Sequence, residues 1–128
     1  MKKIVIPAEQ GDVTLIVANI PAELLKAAKK RKSQKGRAIL AYGEVTGHHH
    51  SLDCKKSHIL DVTPELRSLF NAQVGIPSHA NILDGVLVVE SPDVLQHQEH
   101  NHIAIAPNIH WIVIEQEYTP QRIQRTLD

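Results

Sequence analysis

The run Ile109–Tyr118, IHWIVIEQEY, constrains this chain more than any other segment. It is strand-length and rich in β-branched and aromatic residues, yet its apolar positions do not alternate with polar ones. A strand with one face in water reads as in–out–in–out, so this run is expected to be covered on both faces. A fold that buries it needs layers above and below.

The rest of the chain offers mostly short strands for those layers. Lys3–Pro7 and Val13–Ala18 flank a Gly-Asp turn signal, as in a hairpin or corner. Arg37–Thr46, RAILAYGEVT, is the next expected strand, with Gly43 marking a bulge. Ile82–Leu83 and Val86–Glu90 flank Asp84-Gly85, a dipeptide that favours a two-residue hairpin. His102–Ala106 leads through Pro107 into Ile109–Glu117. Helices are expected over Pro21–Lys30, in a short piece from Thr63-Pro64-Glu65 into RSLF, and from Thr119-Pro120 onward, where threonine caps and proline takes the first helical position. Together these predict a mainly β fold: a small single-domain β-barrel or β-sandwich over residues 1–128, with two or three short peripheral helices.

At 128 residues the chain has the size of one domain with one core. No apolar run is long enough to span a bilayer, and Pro7, Glu9, Gln10 and Asp12 interrupt the first apolar stretch, so no signal peptide and a cytoplasmic location are expected. The single cysteine, Cys54, excludes an internal disulfide and fits a reducing compartment.

Histidines carry the chemical signal. Four of the nine lie in GHHHSLDCKKSH (His48, His49, His50 and His58) and three in HQEHNH (His97, His100 and His102). If the Arg37–Thr46 strand continued through Gly47, His48 and His50 would share a face. In the second group His100 and His102 share a face if the chain is extended, whereas His97 and His100 converge across a turn. Side by side, the two groups would offer three or four imidazoles to a divalent transition metal: zinc, manganese, iron or nickel. The expected ligands are His48, His50, His97 and His100, with His102 as a substitute. Glu99 is a candidate ligand, orienting carboxylate or catalytic group, and Asp53 and Cys54 are further candidates. With an open coordination position, hydrolysis of a phosphodiester or similar small substrate is the concrete reaction to expect. The competing reading is a binding module whose histidines are structural or interfacial. HExxH, CxxC, glycine-rich phosphate loops and GxSxG are all absent.

Charge is unevenly spread: residues 1–64 hold 11 Lys/Arg against 6 Asp/Glu, and residues 65–128 hold 3 against 8. Most of the excess lies between residues 26 and 37, where Lys29, Lys30, Arg31, Lys32, Lys35 and Arg37 are candidate nucleic-acid contacts. No aromatic residue is interleaved to stack on bases, which equally suits a solvated loop. Homo-oligomerisation is also expected, because a small β-domain has edges to cover.

Two resemblances follow from the motifs. GHHH, with a further histidine some fifty residues on, resembles the cupins, small barrels that hold a metal with an HxH pair, a glutamate and a later histidine; here Asp53 or Cys54 stands near the position of that glutamate. Over most of the chain, QGDVTLI, GEVTGHHH, HQEHNHI and EYTPQRIQR are similar to small uncharacterised bacterial and phage-type proteins. That likeness brings no known activity. It implies that both histidine groups and the C-terminal tail belong to one compact module.

Overall fold

The computed structural model describes residues 4–40, 49–75 and 81–115. Along these residues run β1 (Ala8–Gln10), β2 (Val13–Val17), α1 (Ala22–Ala27), β3 (Arg37–Ile39), β4 (Ser51–Asp53), β5 (Ser57–Leu60), α2 (Pro64–Gln73), β6 (Asn81–Val89), β7 (Asp93–Leu95), β8 (Ile103–Ile105) and β9 (Asn108–Glu115). The fold is mainly β, as the turn spacing predicts.

Five strands form an antiparallel sheet in the order β1-β2-β9-β6-β5. The run that lacks alternation is its central strand, and His110, Trp111, Ile112 and Val113 are consecutively buried. Ile112 joins Val13, Leu15, Ile59 and Leu87 in one apolar cluster, whereas Trp111 and Val113 join Ile16, Leu60, Leu66, Phe70 and Val86 in another. Both faces are therefore core.

Each face has its own cover. Over the Ile112 face lie two antiparallel ribbons, β3–β4 and β7–β8, which contribute Ala38, Leu40, Leu52, Leu95 and Ile105. Reciprocal backbone hydrogen bonds of 2.9 Å between Ser51 and Gln96 join the ribbons into a second layer. The other face is covered by α2. Its start is capped by Thr63 Oγ1, which accepts from Leu66 N–H at 3.1 Å, with Pro64 in the first turn. Phe70 meets the Trp111 ring edge-on, centroids 5.4 Å apart, and each such buried side chain stabilises the fold by roughly 1.5–3 kcal/mol. The arrangement is sandwich-like. Among the described residues β1 and β5 remain outer strands of the larger sheet, so it does not close into a barrel.

Several boundaries differ from the sequence expectation, each for a local reason. Ile4–Pro7 is not a strand: Val5 carbonyl accepts from Val17 N–H at 2.9 Å, but Pro7 has no donor to continue a ladder, and pairing begins at Ala8. The turn at Gly11-Asp12 does close a two-residue hairpin, with Gly11 at φ +58°. Asp84-Gly85 does not make a hairpin. Both halves of β6 pair with β9, and the register shift between Leu83 and Gly85 makes the dipeptide a bulge, fixed where the Asp84 carbonyl accepts from Arg31 Nη2 at 2.9 Å.

Arg37–Ile39 does not continue as one strand into the histidines. It pairs antiparallel with β4, and Leu40 N–H donates to the His50 carbonyl at 3.0 Å, so His50 faces Leu40 across a ribbon. α1 ends at Ala27 because residues 29–31 already run beside β5, with Arg31 N–H on Ile59 carbonyl at 2.7 Å and Asp61 N–H on Lys29 carbonyl at 2.8 Å. The expected bulge at Gly43, the placement of His48 and the helix after Thr119 lie outside the described residues.

Candidate functional site

The Ser51–Gln96 bridge brings the two histidine segments together. His50 immediately precedes β4, and the segment 96–102 is the turn from β7 to β8. Ring centroids lie 4.4 Å apart for His50 and His97, 4.5 Å for His97 and His100, and 6.1 Å for His50 and His100, whose planes differ by only 7°. The turn alternative for His97 and His100 is the one observed.

A third segment completes the cluster. Alternation along β1 turns Gln10 inward, and its buried amide reaches all three parts of the site. Nε2 donates to the carbonyls of Leu95 at 3.0 Å and Asn101 at 2.7 Å, which holds the second histidine segment. Oε1 lies 2.9 Å from His50 Nδ1. Gly11 leaves room for His100: a Cβ there would lie 2.6 Å from His100 Nε2. Asp12 Oδ1 stands 3.1 Å from His50 Nε2.

Since Gln10 uses both amide hydrogens on carbonyls, Oε1 is an acceptor and His50 Nδ1 carries a proton toward it. Nε2 would then present a lone pair to the Asp12 carboxylate, an arrangement favourable only with a positive charge between them. A second ring proton or a metal ion supplies that charge. His50 is fully buried, with both ring nitrogens committed, so it is not a free general base.

The other expected residues are arranged around this pair. His97 Nδ1 accepts from Glu99 N–H at 3.0 Å, which places the ring proton on Nε2. The side chains of Glu99 and His100 are exposed. His102 lines a cavity of about 170 Å³ with His49, Ser51, Gln96, His97 and Gln98. Asp53 and Cys54 are not part of the cluster: Asp53 ends β4 and Cys54 follows it, at the end away from His50, where Asp53 Oδ1 accepts from Lys55 N–H at 2.9 Å. Among the described residues no three His, Cys, Asp or Glu side chains are arranged to hold a metal ion. Gln10 and Asp12 were not expected from the sequence as site residues. The signal for Gln10 was a polar residue at an inward position of a strand.

The basic segment divides into structural and exposed parts. Arg31 donates through Nε to Asp61 at 3.2 Å, through Nη1 to Asp84 at 3.1 Å and to Leu40 carbonyl at 3.2 Å. Burial disfavours its charge, and the carboxylates of Asp84 and Asp61 more than offset this, raising its pKa above the usual arginine value. Burial also raises the Asp84 pKa above the ordinary carboxylate value, with Arg31 countering part of the effect. Arg37 donates to Ser51 Oγ and Ser51 carbonyl, both at 3.2 Å. Both guanidiniums, expected as phosphate contacts, thus bond within the fold, whereas Lys29, Lys30, Lys32 and Lys35 are exposed.

These features define a small, mainly β domain in which a buried imidazole meets a half-buried carboxylate at the centre of a histidine cluster. Residues 9–116 match the family described as "Domain of unknown function (DUF8820)", and the chain belongs to that family. No curated protein and no solved structure matches the chain. Among the described residues no helix is long and apolar enough to cross a membrane.

Proposed function

We propose that this domain binds a divalent transition metal between His50 Nε2 and the Asp12 carboxylate, with His100 as the third ligand. The observation that carries the reading is the 3.1 Å approach of a lone-pair nitrogen to a carboxylate, where Gln10 has already fixed the ring proton on the opposite nitrogen. A histidine whose remote N–H is held by an acceptor is the usual second layer of a metal ligand. His100 is exposed and its ring lies against Gly11, the neighbour of Asp12 in the chain, which puts it beside the pair. His97 packs beneath both rings. An imidazole and carboxylate set suits zinc, manganese, iron or nickel. A water on such an ion would serve hydrolysis of a phosphodiester or similar small ester, with the adjoining cavity as the substrate's approach.

The test is metal content of untagged protein, purified without an affinity column and measured by plasma mass spectrometry. About one equivalent of a single transition metal is expected, reduced at least about tenfold in affinity in Asp12→Asn and His100→Ala. If both variants keep the metal, or if apo protein takes up none of the four ions, the reading is wrong. The second outcome favours a metal-free alternative supported by the complete burial of His50: a protonated ring joining Gln10 and Asp12 as a structural ion pair.

A further inference from the structure

The metal reading leaves the lysine-rich segment unused, and a second cavity, of about 70 Å³, lies behind it. Its wall includes Lys30, Lys32 and Ser33 from the segment, Cys54 from beyond β4, and His58 from β5. Among the described residues no Asp or Glu lines it. Arg31 also lines it, but its charge is matched by Asp61 and Asp84. The cationic character therefore comes from Lys30 and Lys32.

This wall is held in place. Lys30 bridges Leu60, Arg31 N–H donates to Ile59 carbonyl, and Cys54 N–H donates to Gly36 carbonyl at 3.1 Å. Between these anchors Gln34 and Arg37 exchange backbone hydrogen bonds of 2.8 and 2.9 Å around Lys35 and Gly36, at φ +50° and +76°. Flexible lysines on a solvated loop require no such pinning. His58 Nδ1 lies 3.0 Å from Glu90 Oε1, a contact that fixes its ring on the cavity wall.

We infer that this cavity binds a small oxyanion: inorganic phosphate or the phosphate group of a small phosphomonoester. Lys30 and Lys32 supply the charge-assisted donors, and Ser33 supplies a hydroxyl. His50 precedes β4 and Cys54 follows it, which places this site at the opposite end of the strand from the histidine cluster.

Cys54, the chain's single cysteine, is a reporter in the cavity wall. Its alkylation rate by iodoacetamide is measured in the full chain with increasing inorganic phosphate, chloride holding ionic strength constant. Saturable protection is expected, slowing the reaction about tenfold when phosphate is ten times its Kd. Lys30→Gln with Lys32→Gln should abolish protection, while Lys26→Gln with Lys29→Gln, off the cavity wall, should retain it. A parallel titration with phenyl phosphate identifies the source: tighter protection by the ester assigns the site to a phosphomonoester, and tighter protection by inorganic phosphate assigns it to the free ion. Absence of saturable protection, equal protection in both double variants, or protection by an oligonucleotide alone would overturn the inference.

Discussion

Replacing Gln10 by Met tests whether one buried amide holds the three segments of the histidine cluster together. Methionine matches glutamine in length and is only slightly bulkier, so packing is nearly conserved while three polar contacts disappear. Two are hydrogen bonds to the carbonyls of Leu95 and Asn101, worth about 1 kcal/mol each. The third leaves the proton on His50 Nδ1 in a fully buried position without its acceptor, at a cost of about 2 kcal/mol. Burying a thioether in place of an amide returns roughly 1 kcal/mol, for a net loss of about 3 kcal/mol. With an unfolding entropy near 2.1 cal/mol/K per residue, this lowers Tm by about 10 °C. Urea unfolding followed by Trp111 fluorescence reads the loss as a lower midpoint at unchanged slope. In a double-mutant cycle with Asp12→Asn the two losses should fall short of additivity by about 0.5–1.5 kcal/mol, because Gln10 fixes the ring that Asp12 engages. A loss under about 1 kcal/mol, or strict additivity, would refute the account.

Two further outcomes rest on other residues. His110 is buried in the central strand with Nδ1 unpaired, and burial lowers its pKa below the ordinary 6.5. The unfolded chain therefore takes up a proton that the folded one resists, and stability falls as pH drops below about 6.5. His110→Leu should give a shallower decline toward pH 5 in paired denaturation curves; parallel curves would show that His110 is not responsible. Lys35 adopts φ +50° beside Gly36 at +76°, a pair of conformations that Asn-Gly favours, so Lys35→Asn should raise the urea midpoint by an equivalent of about 0.5 kcal/mol. An unchanged or lowered midpoint would exclude strain at that residue.

The sequence made some of this legible because the relevant forces are local. β9 announced its double burial through the absence of alternation, and Gly11-Asp12 announced its hairpin through turn chemistry. Asp84-Gly85 misled because the same preference for unusual backbone serves a bulge as well as a turn. The choice was made by Arg31, fifty-three residues away, which bonds both the carboxylate and the carbonyl of Asp84. His50, His97 and His100 could be grouped from composition and spacing. Their connection to Gln10 and Asp12 could not, since it depends on how the first hairpin docks against the β7–β8 turn, a contact spanning 91 residues between Gln10 and Asn101.

The position of β9 has a consequence for biosynthesis. Among the described residues it is the final strand of the sheet in chain order, yet it lies between β2 and β6. On the ribosome, β2 and β6 emerge before the partner that separates them, each with an apolar strand edge open to other chains. Completion of the sheet waits for residue 115, and the period before it is the interval in which a chaperone would do most to prevent aggregation.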